Sequence, residues 1–352
     1  MEQKIIFSND IAQAISDVLK GEDYNKLFVI TDMNVNHFVM PELEEIPLVK
    51  TATKIVIKSG DSNKNLESLS AVWKQLGEQG ATRRSIVLNI GGGVVTDLGG
   101  FAASTFKRGM RFVNVPTTLL AAVDAAVGGK TGINFLGLKN EVGVFNEANA
   151  VIISTRLFKT LPIEEVKSGY AEMIKHGLLK SEECLQKLLS TDFENIDDEH
   201  LLELLKESVL VKQHVVEEDP HEHGIRRALN LGHTIGHAFE SFAMQQFSPV
   251  PHGYAVAWGL VVELILSHSM QGFDSALLQQ VAKYVRANYG VYNLTCENYD
   301  KIISLMKHDK KSKHGELNFT LLAAPGDIRI DNEASEEEVK VALDIYRDFM
   351  GI

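Results

Sequence analysis

The stretch RALNLGHTIGHAFES, residues 227–241, sets His233 and His237 four residues apart in a run with helical periodicity, so both imidazoles fall on one helix face. GYAEMIKHG repeats the spacing with Glu172 and His176, and PHGYAVAWG puts His252 just ahead of an apolar run. Imidazole and carboxylate are zinc ligands, and catalytic zinc commonly takes three protein ligands and leaves one position open. Five candidates compete for those positions, and spacing alone does not choose among them; any single pair is as readily explained as polar packing. The HExxH pattern of zincin proteases is absent from the sequence.

A second group of residues suits an anion or a nucleotide. Strand-like SIVLNI runs directly into GGGVVTDLGGF, and glycines between a strand and a helix let the backbone approach a pyrophosphate at the helix start. Thr96 stands where the third glycine of GxGxxG would fall, and Asp97 adds an acid one turn into the helix, where it disfavours a bare anion and suits a sugar or nicotinamide group. Asp32 ends the strand-like FVITDMN, as a ribose acceptor or simply as a turn residue. Lys130, Lys139 and Asn140 lie in VGGKTGINFLGLKNE and Arg108 in KRG, with Lys175, Lys212, Arg226, Arg227, Lys310 and Lys311 further on. Lysine suits phosphate as a point charge and arginine suits a carboxylate bidentately. Each alone is a solvated surface charge; their concentration beside the glycine and histidine motifs points to an anionic small molecule.

The whole chain must position these groups. Its 352 residues make about two domains at roughly 150 residues each. Net charge is −12, which argues against a broad basic face for nucleic acid but leaves room for a local anion site. Cys184 and Cys296 are the only cysteines, too few for a disulfide framework or a cysteine zinc cluster, which fits a reducing cytoplasm. MEQKIIFSND does not read as a signal peptide, and VAWGLVVELIL, residues 256–266, reads as a buried helix too short to span a membrane.

KLFVIT, KIVIKS, RSIVLNI, RFVNVP and AVIIS alternate with amphipathic stretches such as NLESLSAVWKQLGEQG, which predicts an α/β domain with a parallel sheet over residues 1–150. Helical periodicity dominates residues 151–352, in EEVKSGYAEMIKHGLL, EHLLELLKESVLVKQHVV, RRALNLGHTIGHAFESF and SALLQQVAKYVRANYG, with LNFTLLAA as the one late strand. The expectation is an α/β, N-terminal parallel-sheet dinucleotide-binding domain followed by a mainly α-helical, metal-binding C-terminal domain.

Taken together, GGGVVTDLGGFAAS, FKRG, VPTTLLAAVDAAVGGKTGIN, LKNEVGVF, TLP, GYAEMIKHG, EHGIR, LNLGHTIGHAFE, HGYAVAWG and DKK, in this order, resemble the 3-dehydroquinate synthase family. That family belongs to the sugar phosphate cyclase superfamily and is related to metal-dependent glycerol dehydrogenases. The resemblance implies a phosphate-eliminating lyase that uses NAD and a divalent metal, usually zinc with cobalt as the other ion. Its substrate would be 3-deoxy-D-arabino-heptulosonate 7-phosphate, a phosphorylated sugar acid. It also implies oxidation at C5, phosphate elimination, re-reduction and intramolecular aldol closure to 3-dehydroquinate, in the shikimate pathway of aromatic amino acid biosynthesis. A homodimer is implied as well, and with the charge, cysteine and hydropathy readings above the expectation is a cytoplasmic protein with no nucleic-acid or membrane partner.

Carried over by position, the resemblance makes Glu172, His233 and His252 the metal ligands and sets His176 aside. Lys130, Asn140 and His237 surround the phosphate, with Arg108 reaching in from a second subunit. Lys212, Arg226 and one of Lys310 and Lys311 hold the carboxylate, while Asp124, Lys175, Glu222 and Asn230 address hydroxyls and the metal region. Asp32, Asn34, Asp61, Lys64, Gly92, Gly93, Val94, Asp97, Thr117, Thr118, Lys139, Thr160 and Leu161 line the NAD pocket. Thr96, Ala125 and Ala126 depart from the family pattern, and the segment before His252 is longer than typical. The rival readings are another sugar phosphate cyclase, a metal-dependent polyol dehydrogenase and a non-catalytic binder. The intact VGGKTGIN block and the set Lys212, Arg226 and DKK favour the acid substrate.

Overall fold

Strands Leu27–Asp32 and Ile86–Gly91 are buried at every residue, as strands covered on both faces require. They belong to a computed structural model that describes residues 3–136, 138–192, 196–308 and 317–352. The chain divides into two units, one of Met1–Pro162 with Asp197–Val209 and the other of Ile163–Ile196 with Leu210–Ile352. Helix Asp198–Glu218 is thus shared by residue range between them.

In the first unit the strands are β1 (Lys4–Phe7), β2 (Leu27–Asp32), β3 (Thr53–Ile57), β4 (Ile86–Gly91), β5 (Arg111–Pro116), β6 (Lys130–Phe135), β7 (Leu138–Phe145) and β8 (Ala150–Ile153). Six of them form one sheet in the order β1-β8-β5-β4-β2-β3, and every pairing in it is parallel. The parallel sheet expected from the alternating pattern is present. The division between units falls after Pro162 and not at residue 150, because β8 pairs with both β1 and β5 inside this sheet. The periodicity reading passed over β1, which is only four residues long, and the antiparallel hairpin β6–β7 that carries the VGGKTGIN block.

The C-terminal ends of β2 and β4 set up the turns of interest. Asp32 caps helix Met33–Phe38, its Oδ1 accepting from the backbone N–H groups of Asn34 at 2.8 Å and Val35 at 3.2 Å. Helix Gly93–Thr105 starts immediately after β4 with Gly92 as its N-cap and no side-chain cap; the Gly92 carbonyl accepts from the Val95 and Thr96 N–H groups at 3.0 Å.

The second unit is mainly helical, as expected. Its centre is helix His252–Gln271, which packs against helices His233–Gln245, Ile163–Lys180, Ser275–Tyr289 and Glu336–Met350. Leu260, Val261, Val262 and Leu264 are 0% exposed and contribute roughly 1.5–3 kcal/mol apiece. The 20-residue helix is longer than the apolar run suggested and matches a membrane span in length and composition, yet 78% of its apolar window is buried inside the protein. One strand was passed over here as well. Besides β9 (Leu317–Ala324), β10 (Asp327–Ala334) pairs with it antiparallel across a turn at Gly326, where φ is +83°.

The sequence reading of RRALNLGHTIGHAFESF as one helix needs correction. Residues Ile225–Asn230 form a short 3-10 turn, Gly232 adopts a left-handed conformation with φ 79°, and the helix begins only at His233. Arg226 and Asn230 are therefore not on the His233 helix, and the left-handed glycine stands between that turn and the helix start.

Candidate active site

In the second unit, Glu172, His233 and His252 come from three helices, and one potential ligand atom from each lies within 4.8 Å of the other two. His233 Nε2 is 3.3 Å and His252 Nε2 3.5 Å from Glu172 Oε1. Ligands of a tetrahedral zinc bound at about 2.0–2.1 Å sit about 3.4 Å apart along each edge, so these separations suit one small cation. The other ring nitrogens are engaged: His233 Nδ1 lies 3.1 Å from the Leu231 carbonyl and His252 Nδ1 3.3 Å from Glu240 Oε2. A proton on each Nδ1 satisfies those contacts and leaves Nε2 as the lone-pair donor, the arrangement by which outer groups orient metal-binding histidines.

Glu172 is 0% exposed and neither oxygen receives a hydrogen bond of good geometry. The Lys175 ammonium compensates it at 2.5 Å from Oε2 and donates to the Leu229 carbonyl at 3.0 Å. A buried carboxylate oxygen without a donor, faced by two imidazoles, is what a cation would satisfy, so the donor set fits a divalent ion. Burial opposes ionisation of Glu172, but Lys175 and His233 outweigh it and hold the carboxyl well below its usual range. Burial, then Lys175, push His233 down to about 4. Burial also pushes His252 down, but bonds to Glu172 and Glu240 prevail and raise it to about 10.

His237 is the fourth imidazole, with its ring centroid 5.2 Å from that of His233 and 5.9 Å from that of His252. It is outside the three-residue ligand cluster. His176 is fully buried and is outside it too. Buried Arg226 is fixed by its own loop. Its guanidinium donates to the Pro220 carbonyl at 2.7 Å, and its backbone N–H donates to Asp219 Oδ2 at 3.1 Å. Burial raises the Asp219 carboxyl, but the N–H groups of Gly224, His223 and Arg226 hold it down at about 2. Asn230 donates weakly to Glu222 at 3.4 Å, and Lys212 is buried. Lys310 and Lys311 lie outside the described residues.

In the first unit the glycine turn is tight. A Cβ on Gly92 would stand 3.0 Å from the Thr118 side chain. Thr117 beside it is 2% exposed, donates its N–H to the Gly91 carbonyl at 3.0 Å, and keeps its hydroxyl buried without a hydrogen-bond partner. Val94 lies in the first turn of the helix, where Gly93 is the first residue. Lys64, 5% exposed, bonds both Asp97 and Asn140, so three residues assigned separately to NAD and to phosphate meet on one ammonium. Lys139 pairs with Asp61 at 3.8 Å, and Asp32 Oδ1 also accepts from the Ser59 hydroxyl at 2.7 Å. Asp124 is in a π-helical turn, Ala121–Ala125, while Lys130 and Arg108 are exposed. Thr160 is exposed and Leu161 half-buried on the turn that follows residues 155–158.

Sequence reasoning missed Glu240. Its signal was present, since an acid at position 240 lies one turn beyond His237 on a helix already suspected of bearing ligands.

A six-stranded parallel sheet in one unit and a mainly helical second unit make up a fold shared with solved sugar phosphate cyclases. Solved structures bear this out. A 2-deoxy-scyllo-inosose synthase complexed with carbaglucose-6-phosphate, NAD+ and Co2+ has a TM-score of 0.82 at 22% identity, over 96% of this chain and 95% of that one. A 2-epi-5-epi-valiolone synthase from Streptomyces hygroscopicus with NAD+ and Zn2+ bound has a TM-score of 0.83 at 23% identity, over 99% and 97%. The models of the 3-dehydroquinate synthase N-terminal and C-terminal parts match residues 54–168 and 169–312. A 3-dehydroquinate synthase of Parabacteroides distasonis is 47% identical over 100% of this chain and 99% of its own length. One of Clostridium tetani is 36% identical over 92% and 87%. The chain belongs to the 3-dehydroquinate synthase family.

Proposed function

We propose that the chain converts 3-deoxy-D-arabino-heptulosonate 7-phosphate to 3-dehydroquinate and phosphate, as a carbon–oxygen lyase that uses NAD and a divalent metal, zinc before cobalt. The observation that carries this reading is the convergence of His233 and His252 on Glu172 Oε1, a fully buried oxygen that accepts no hydrogen bond of good geometry. When bound, the metal polarises the substrate oxygen at C5 and NAD exchanges a hydride with that carbon.

The residues of the chain do the rest. Glu172 and the two Nε2 atoms hold the cation, Glu240 keeps His252 in the ligating tautomer, and Lys175 keeps Glu172 ionised. His237, adjacent to the ligand histidines but not among them, is the hydrogen-bonding or proton-transfer group at the phosphate, which Lys130 and Asn140 also surround. Arg226 and Lys212, with one of Lys310 and Lys311, bind the carboxylate, and buried Arg226 is pre-oriented for a planar bidentate partner. Asp124, Glu222 and Asn230 accept and donate at the hydroxyls.

For NAD, the tight turn at Gly92, Gly93 and Val94 and the unsatisfied Thr117 hydroxyl support a pyrophosphate neighbour. Asp32, Asn34, Asp61, Lys64, Asp97, Thr118, Lys139, Thr160 and Leu161 complete the pocket in this reading. A cytoplasmic homodimer completes the proposal. Its supports are two cysteines that form no disulfide and the exposed Leu136, Leu138 and Phe145 on the β6–β7 hairpin, which suit contact with a second copy.

The test is substrate choice. With zinc and NAD, phosphate release from heptulosonate phosphate with formation of dehydroquinate is expected. Release from sedoheptulose 7-phosphate but not from the acid would transfer the chain to another cyclase activity.

A further inference from the structure

The helix that presents His233 has no cap of its own. Its N-cap is Gly232, in a left-handed conformation that offers no side chain, although a helix start exposes N–H groups that must find acceptors. The acceptor comes from another helix. Glu263, 0% exposed in the middle of helix His252–Gln271, accepts from the Gly232 N–H at 2.6 Å through Oε2 and from the Ile235 N–H at 3.1 Å through Oε1.

This reach is possible because the two helices touch backbone to backbone. A Cβ on Gly259 would stand 2.1 Å from the Gly232 carbonyl oxygen and 2.7 Å from the Gly236 nitrogen. Glu263 lies one turn further along the same face and so meets the start of the neighbouring helix. Its chain neighbours Val262 and Leu264 are fully buried. A carboxylate there is costly without partners and is tolerated because it accepts at a helix N-terminus, where a negative group is favoured.

The consequence reaches the metal centre. Helix His252–Gln271 begins with one proposed ligand and carries Glu263 eleven residues later; Glu263 in turn fixes the first residue of the helix that begins with the other ligand. The Leu231 carbonyl that orients His233 precedes the same capped glycine. We propose that Glu263 is a positioning residue that holds His233 at ligating distance from Glu172, so that one buried side chain sets the spacing of both histidines. This rests on the metal reading above.

The test is a zinc competition titration against a chromophoric chelator, on the full chain and on Glu263→Gln and Ser267→Ala. Glu263→Gln keeps shape but turns one acceptor into a donor that faces an N–H, and the expected loss is about ten- to a hundredfold in zinc affinity. Ser267→Ala is the control. It is equally buried on the same helix, where its hydroxyl bonds the Glu263 carbonyl and the Leu322 N–H. It is expected to lower the melting temperature and leave zinc affinity unchanged. Unchanged affinity in Glu263→Gln, or an equal loss in Ser267→Ala, overturns the proposal, whereas a wild-type chain without zinc affinity overturns the metal reading with it. If Glu263→Gln does not fold, amide exchange in the wild type decides. Gly232 and Ile235 amides protected both before and after zinc support the proposal, and protection gained only with zinc refutes it.

Discussion

Replacing Lys175 with methionine removes one cation from a pair that water does not reach: the side chains of Lys175 and Glu172 are 2% and 0% exposed, with 2.5 Å between nitrogen and oxygen. Removing one partner of such a pair costs about 3–5 kcal/mol, because the remaining charge stays buried and uncompensated. His252 softens the loss, since its imidazole is raised to about 10 and remains 3.5 Å from Oε1. The expected cost in the presence of a chelator is therefore at the low end, about 3 kcal/mol. At a urea slope of about 2 kcal/mol per M, the midpoint falls by about 1.5 M. A divalent ion on the same carboxylate supplies the missing positive charge, so with saturating zinc the fall shrinks to well under half. The assay is urea unfolding followed by Trp258 fluorescence in a Trp73→Phe background, with chelator and with zinc. An unchanged midpoint in chelator, or the same fall in both conditions, would refute the reasoning that Glu172 shares its charge between Lys175 and a metal.

His252→Ala should abolish zinc binding, whereas His237→Ala should keep zinc and lower kcat by about 10²–10⁴ as a lost proton-transfer group; dialysis and steady-state kinetics distinguish the two. Lys64→Met leaves Asp97 and Asn140 without their shared ammonium. Loss of charged hydrogen bonds worth about 1.5–3 kcal/mol should weaken NAD by about tenfold or more in a fluorescence titration, with zinc affinity unchanged. Asp219→Asn should raise KM for the acid substrate more than it lowers kcat, because the loop that orients Arg226 hangs on that carboxylate. With the Asp219 carboxyl held at about 2, below its ordinary 3.8, its contribution to stability is fully present above pH 3.8 and is lost as pH falls through about 2. Acid unfolding curves of Asp219→Asn should therefore converge on wild type at the lowest pH.

The parallel sheet was legible because its strands are continuous apolar runs bounded by turns, as in KLFVIT and RSIVLNI. β10 was not, because DIRIDNEA alternates isoleucine with charge on a half-exposed hairpin and its signal is pairing with β9 rather than burial. The candidate metal cluster was half legible. Residue types and spacing limited it to five candidates, but the choice among them depends on where three separate helices meet, which local pattern does not encode. The break at Gly232 shows the same limit. Helical periodicity continues through LNLGHTIGH, and only the left-handed glycine and its borrowed acid cap reveal that a helix starts at His233. Glu263 was invisible for a related reason, since an acid in an apolar helix declares no partner until the facing backbone is known.

Recycling of NAD separates a cyclase of this kind from a dehydrogenase. Supply the zinc-loaded chain with heptulosonate phosphate and NAD at a small fraction of the substrate, then measure released phosphate against absorbance of NADH. Phosphate far in excess of the NAD added, with no NADH accumulating, is the expected result. NADH that grows mole for mole with product, without phosphate release, would contradict it and make the chain a dehydrogenase.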